Sequence, residues 1–326
     1  MPVFRYPTVS GVARRVRSVL GLEAGVTRAA LPDPTGTSAE GVSVGGIAPE
    51  NMIWIFGTGR TGSTWLAAMM EEPEGHDVWF EPRVGTVFDP QRFQRHGGKH
   101  FIFASQYKDV WLRSIRNFIL DGANARFPEL DGGYLAVKEP GGSVGAGLIM
   151  EALPESGMVL LIRDPRDVVA SWLDATRKGG WQTRRRGEGG RRAESLAETN
   201  PDAFVRRHAD AYLQHVGSAK QAYEAHDGRR VVVRYEDLRA DTLGTMKRMY
   251  GELGVPVEEA ELAEAVEKHS WENIPDEEKG QGKFYRKATP QAWREDLTRR
   301  QVKTVERITA PLLEEFYPTV PAEQQG

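Results

Sequence analysis

The sequence predicts an α/β fold, a mostly parallel sheet flanked by helices in three layers. Three observations predict it. Short continuous apolar runs of strand length recur along the chain, helical sequence lies beside each, and the first run ends directly in a glycine-rich turn. Such runs read as strands buried on both faces, the condition of a parallel sheet enclosed by crossover helices. Ligands of such sheets bind beyond the carboxyl ends of the strands, so chemistry-bearing residues belong just after each run.

The runs are MIWIF (Met52 to Phe56), YLAVK (Tyr134 to Lys138), MVLLI (Met158 to Ile162) and VVVRY (Val231 to Tyr235). A helix is expected from about Ser63 to Met70 and a long one from Pro201 to Asp227. Residues 22–50 are rich in Gly, Ala, Pro, Thr and Ser without a sustained period, which divides the chain into an N-terminal extension, 1–50, and a domain, 51–326. Within the extension Val9, Val12, Val16, Val19 and Leu20 fall on one helix face, with Arg14, Arg15 and Arg17 between them. That pattern lacks the continuous apolar core of a secretory signal and reads as a helix packing on its own domain, a membrane surface or partner being the alternative. Arg177 to Arg192, rich in glycine and arginine with Glu188 as its one acid, reads as a long loop, either solvated or covering an anionic ligand.

Composition removes several classes of function. Lys plus Arg number 43 and Asp plus Glu 46, a net charge of -3 that gives no global pull toward nucleic acid. With no cysteine, disulfides, thiolate nucleophiles and Cys-ligated metals are excluded, and the seven histidines show no metal-ligand spacing, so no metal is expected. No window of about 18 apolar residues occurs, which predicts no membrane span and a cytoplasmic location.

The turn after the first run is Gly57-Thr58-Gly59-Arg60-Thr61-Gly62-Ser63-Thr64-Trp65. Gly57 and Gly62 keep the four-residue gap of the nucleotide-binding P-loop between a strand and a helix, so the fold expected is P-loop-like. Glycine lets successive N–H groups converge on one anion, and the helix N-terminus adds its positive dipole end. The lysine of the ATP-using loop is replaced by Ser63, and the charge has moved to Arg60, whose planar fork suits a phosphate or sulfate group. A second anchor lies in MVLLIRDPRDVVASW, where Arg163 ends a strand and Ser171 stands eight residues on, about two turns into the next helix. The pair can converge on one phosphate; alternatively Asp164 caps the helix, Pro165 opens it and Arg163 pairs with a neighbouring carboxylate.

Together these segments resemble the sulfotransferases that use 3'-phosphoadenosine 5'-phosphosulfate (PAPS), whose 5'-phosphosulfate loop reads [KR]-[ST]-G-[ST]-[ST]-[WFL]. Arg60-Thr61-Gly62-Ser63-Thr64-Trp65 matches that loop. Arg163 to Ser171 matches the family's R-[DN]-x-[RK]-D-x-x-x-S segment. The resemblance implies PAPS as co-substrate, with Gly59 to Trp65 on its 5'-phosphosulfate side and Arg163 and Ser171 on its 3'-phosphate. Trp65 is placed near the adenine, or is simply a core residue. KFYRKATPQAWREDLT resembles the family's basic closing segment, implying that Arg286 and Lys287 add charge near the 3'-phosphate, although Ala288 replaces its glycine. VRYEDL (Arg234 to Leu238) resembles a family segment with a structural role.

Sulfuryl transfer needs a cation at the bridging oxygen, a second donor on the sulfuryl oxygens and a base for the acceptor proton. Arg60 fits the first role and Lys138, at a strand end, the second. Glu81 and Glu139 compete for the third. Tyrosylprotein and some carbohydrate sulfotransferases, which this chain resembles in carrying a glutamate about twenty residues after the loop, use that glutamate as base; the former also have K-D-P where Lys138-Glu139-Pro140 stands here. The resemblance therefore favours Glu81, with pairing to Arg83 as its alternative. No histidine closely follows Lys138, unlike the phenol and steroid branch. The activity implied is transfer from PAPS to a hydroxyl of a small-molecule, carbohydrate or peptide acceptor. The rivals are an ATP-dependent kinase with a degenerate P-loop and a non-catalytic nucleotide-binding module.

Overall fold

Side chains alternate across a strand, and here both sides of the alternation are apolar. β1 (Met52–Phe56), β2 (His76–Phe80), β3 (Tyr134–Lys138), β4 (Gly157–Ile162) and β5 (Arg230–Arg234) form one parallel sheet in the order β2-β3-β1-β4-β5. The structure is a computed structural model that describes residues 46–90, 107–185, 196–285, 287 and 289–318. The amphipathic segment at the N-terminus, residues 186–192 of the arginine-rich stretch and Arg286 lie outside the described residues.

The longer helices among the described residues, in chain order, are α1 (Ser63–Met70), α2 (Lys108–Arg126), α3 (Ala146–Ala152), α4 (Pro165–Thr176), α5 (Pro201–Ala225), α6 (Tyr235–Ala240), α7 (Thr242–Glu252), α8 (Glu259–Lys268) and α9 (Arg299–Phe316). Met52, Trp54, Phe56, Leu135, Val137, Leu160 and Ile162 pack toward Ile115 and Ile119 of α2, Ile149 of α3 and Tyr212 and Val216 of α5. Ile53, Ile55, Ala136, Val159, Leu161 and Val233 pack toward Leu66 and Met69 of α1, Leu238 of α6, Met249 of α7 and Leu262 of α8. A third cluster joins α4, α5 and α9 through Leu173, Phe204, Trp293 and Val305. The three-layer expectation is thus met.

The four expected strands occur within a residue of their predicted bounds, and α1 spans Ser63–Met70 as expected. β2 was not anticipated: it is an edge strand whose HDVWF sequence buries only Val78 fully, so it carries no continuous apolar run. The packed unit also reaches ahead of residue 51. Ile47 is buried and its N–H donates to Asn124 Oδ1 at 2.8 Å. Part of the expected arginine-rich loop is helical, at Trp181–Arg185. Among the described residues no helix is long and apolar enough to cross a membrane.

The α2 register makes a direct prediction. Ile119 is fully buried against the sheet whereas Phe118 is 59% exposed. Ile119→Ala should cost about 2–5 kcal/mol by denaturant unfolding, and Phe118→Ala under about 1 kcal/mol; equal costs would mean a rotated helix.

Candidate active site

The loop between β1 and α1 has the shape its glycines permit. A Cβ on Gly57 would stand 2.2 Å from the Leu161 carbonyl oxygen of the neighbouring strand, and the Gly57 N–H donates to Ser143 Oγ at 2.8 Å. Gly62 has φ 86°, and a Cβ there would come within 2.7 Å of the Tyr235 ring; a Cβ on Gly59 would come within 2.8 Å of Trp172. Arg60 adopts a left-handed φ of 73°, a conformation that costs a non-glycine residue about 1 kcal/mol or more and tends to persist where function needs it. Thr61 Oγ1 donates to the Thr58 carbonyl at 2.7 Å, bracing the loop from within. Gly62 is the N-cap of α1 and no side chain caps that end, so the first-turn amides suit an anion.

Arg163 leaves the end of β4 beside this loop. Its guanidinium donates to the Arg60 carbonyl oxygen at 3.1 Å and lies 4.1 Å above the Tyr235 ring, while its buried Nε has no hydrogen-bond partner. The backbone carbonyl of Arg163 accepts from Tyr212 Oη at 2.7 Å, which fixes the strand end. Asp164 caps α4 by accepting from the Arg166 N–H at 2.8 Å, and Pro165 opens the helix. Ser171, on the same helix and buried, accepts from Arg60 Nε at 3.0 Å. Arg60 therefore spans the two expected anchors: it also donates to the Phe284 carbonyl at 2.8 Å and lies beside the Trp181 and Phe284 rings.

The third group of residues comes from β2 and β3. Lys138 Nζ is 2.5 Å from Glu81 Oε1, with the lysine side chain 6% exposed and the glutamate side chain 45%. Glu81 pairs with this lysine rather than with Arg83. Both members of the pair line the cavity. Glu139 faces the other way. It is wholly buried, lies outside the cavity lining and accepts from the Arg83 N–H through Oε2 at 2.7 Å. Burial pushes its pKa up to about 7, the Arg83 amide pulling the other way.

A cavity of about 1130 Å³ joins these parts. Arg60, Arg83, Lys138, Arg163, Arg239 and Lys287 line it against one acid among the described residues, Glu81, so its field is positive. Ser63, Thr64, Trp65 and Ser171 line it too, whereas Thr61 braces the loop from behind. Trp65 Nε1 donates to the His269 carbonyl at 2.8 Å, and Lys287 pairs with Glu295 at 2.9 Å. Gly282, Gln291 and Trp293 are tied to α4 by two carboxylates. Asp174 accepts from the Gly282 N–H at 2.9 Å, and Asp167 from the Gln291 and Trp293 N–H groups at 2.7 and 3.0 Å. Burial raises the Asp167 pKa, with Arg163 opposing.

Sequence reasoning gave Tyr235, Arg83, Trp181 and Phe284 no site role of their own. Tyr235 had a signal, since it follows β5 at the same sheet edge; the others sit in segments whose path depends on distant contacts.

Residues 52–259, more than half of the chain, match the family described as the sulfotransferase family. Comparison with curated proteins gives no match. Among solved structures the chain is similar to mouse sulfotransferase SULT7A1 complexed with PAP, at 13% identity over 83% of this chain and 87% of that one, TM-score 0.50. It is also similar to a retinol dehydratase in a complex with retinol and PAP, at 16% identity over 83% and 84%, TM-score 0.49. A third similar structure is sulfotransferase STF9 from Mycobacterium avium, at 17% identity over 83% and 78%, TM-score 0.47. At such identities the likeness is one of fold.

The Glu139 carboxyl gives a pH prediction. Its folded pKa is raised from 4.5 to about 7, so between those values the folded protein holds a proton that the unfolded chain has lost. Its contribution to stability therefore falls as pH rises through that window and is level above it. Glu139→Gln removes this term. Thermal unfolding should show the variant gaining on the parent from pH 5 to 7.5, by up to a few kcal/mol at about 1.36 kcal/mol per pK unit; a pH-independent difference would contradict the assignment.

Proposed function

The chain belongs to the sulfotransferase family, and we propose that it transfers a sulfuryl group from PAPS to an acceptor hydroxyl, with Glu81 as the base. The observation that carries this reading is the meeting of Arg163 with the glycine loop, its guanidinium 3.1 Å from the Arg60 carbonyl. Two anion-binding elements thus open on one cavity, as a nucleotide bearing phosphates at both ends of its ribose requires.

The residues present fit such a donor. The α1 N-terminus has no side-chain cap, the loop glycines leave no room for a Cβ, and the buried Arg163 Nε retains an unused donor. In this reading the amides of Gly59 to Thr64 hold the 5'-phosphosulfate, Arg163, Ser171, Arg286 and Lys287 hold the 3'-phosphate, and Trp65 borders the adenine. When bound, PAPS supplies a sulfuryl group on a phosphate leaving group. Lys138, almost fully buried, concentrates positive charge where the sulfuryl oxygens are expected, and Arg60 neutralises charge between the two anchors. Glu81, its Oε1 held 2.5 Å from that ammonium and its side chain 45% exposed, takes the acceptor's hydroxyl proton. Glu139, facing away from the cavity, is left out of the proton transfer. The acceptor is a hydroxyl of a small molecule, carbohydrate or peptide.

Calorimetry tests the donor assignment. PAP, 3'-phosphoadenosine 5'-phosphate, should bind at least tenfold tighter than ADP, about 1.4 kcal/mol, and Arg163→Ala should erase the preference; equal affinities in the parent protein would point to the kinase reading. Glu81→Gln should keep PAP affinity while lowering product formation by about 10²–10⁴-fold, measured by mass spectrometry with PAPS and a panel of alcohols, sugars, phenols and peptides. Unchanged turnover would remove Glu81 from the base role.

A further inference from the structure

We propose that Glu139 is a positioning residue, whose carboxylate holds the backbone turn that presents Glu81 to the cavity; this rests on the reading of Glu81 as base. Lys138 and Glu139 are consecutive at the end of β3 and face opposite ways. One side chain reaches into the cavity to the Glu81 carboxylate, the other runs behind the turn to the Arg83 amide, at 2.5 and 2.7 Å respectively.

The turn needs such a hold. Glu81 and Arg83 have φ of 47° and 62°, two left-handed non-glycine residues within three positions. Such conformations persist only where the surroundings over-determine them. Here the Glu81 N–H donates to the Lys138 carbonyl at 2.8 Å, and Arg83, fixed by Glu139, N-caps the helical turn Val84–Val87. That helical turn lies against the 3₁₀ turn Pro140–Gly145 through glycines: a Cβ on Gly85 would sit 1.9 Å from the Gly142 carbonyl oxygen, and one on Gly145 2.3 Å from the Gly85 carbonyl oxygen. Backbone contacts fix both ends of the turn, and the Glu139 carboxylate fixes its middle.

Glu139 is wholly buried and its Oε1 has no hydrogen-bond partner. The charged groups acting on it are Glu81, Arg83 and Lys138, the members of the turn and of the pair it supports. Burying a half-satisfied carboxylate opposes folding. What the carboxylate supplies in exchange is a strong, directed acceptor for one strained amide.

The test compares Glu139→Ala, Glu139→Gln and Glu81→Gln by three measurements. These are PAP affinity by calorimetry, single-turnover release of PAP from PAPS with water as acceptor, and hydrogen exchange at the Arg83 amide. Glu139→Ala should speed exchange at Arg83 and slow PAP release about 100-fold, the scale of a misplaced catalytic group, with PAP affinity changed less than about twofold. Glu139→Gln keeps an acceptor oxygen and should restore both exchange protection and rate to within about fivefold. Should Glu139→Ala prove unable to fold, the glutamine variant decides alone: unprotected Arg83 there overturns the proposal. Glu139→Gln as slow as Glu139→Ala, with protection intact, would make Glu139 the base and overturn both statements. Failure of the parent protein to bind PAP would sink the sulfotransfer reading, while the Arg83 exchange rates would still decide whether Glu139 holds the turn.

Discussion

The site depends on β1 and β4 lying side by side and parallel, in one register. Phe56 pairs with Leu160, so the chain turns at Gly57 level with Leu161, and the first residues beyond each strand end share one edge. Only glycine fits at position 57, because any Cβ would meet the Leu161 carbonyl. From there the loop brings the Arg60 carbonyl to the guanidinium of Arg163. Register fixes the rest as well. Lys138 pairs with Ile55 on one side and Phe80 on the other, which places the lysine between the loop strand and the strand that delivers Glu81. A slip of one residue would turn these side chains to the opposite face.

Electrostatics divides along the same lines. Cations line the cavity, while the carboxylates of Asp167, Asp174 and Glu236 work behind it. Asp167 and Asp174 bind amides of the C-terminal segment, and Glu236 accepts from the Asp164 N–H and from Tyr317 Oη at 3.0 and 2.9 Å. These buried acids position the elements that carry the basic residues, and Asp167 and Glu236 interact with the Arg163 charge from behind the cavity. Desolvation raises the pKa of Asp167 and of Glu236, which is the cost of placing them there. His208, stacked on Trp172 and tilted against Phe204, has its pKa lowered to about 4 by burial, so it adds an uncharged wall.

Much of this was legible in the sequence because it follows from short-range rules. Central strands buried on both faces leave continuous apolar runs, and MIWIF and MVLLI announce themselves; HDVWF, at the edge, does not. The glycine spacing reported the loop, and the position of Arg163 at a strand end reported its direction. Which of Glu81 and Glu139 faces the cavity was not legible from spacing alone, since it turns on which way a side chain leaves an irregular turn. Nor was the behaviour of Arg60. It reaches Ser171, more than a hundred residues on, and Phe284, more than two hundred residues on, and the sequence does not place the second of these segments. VRYEDL read as structural, and Glu236 agrees, but Tyr235 beneath Arg163 belongs to the site.

The most direct measurement is a crystal structure of the protein with PAP. The account predicts the 5'-phosphate on the amides between Gly59 and Thr64 and the 3'-phosphate on the side chains of Arg163 and Ser171, with Arg60 withdrawn from the serine. A nucleotide bound elsewhere, or one whose 3'-phosphate points to solvent with the Arg60–Ser171 contact intact, would contradict it.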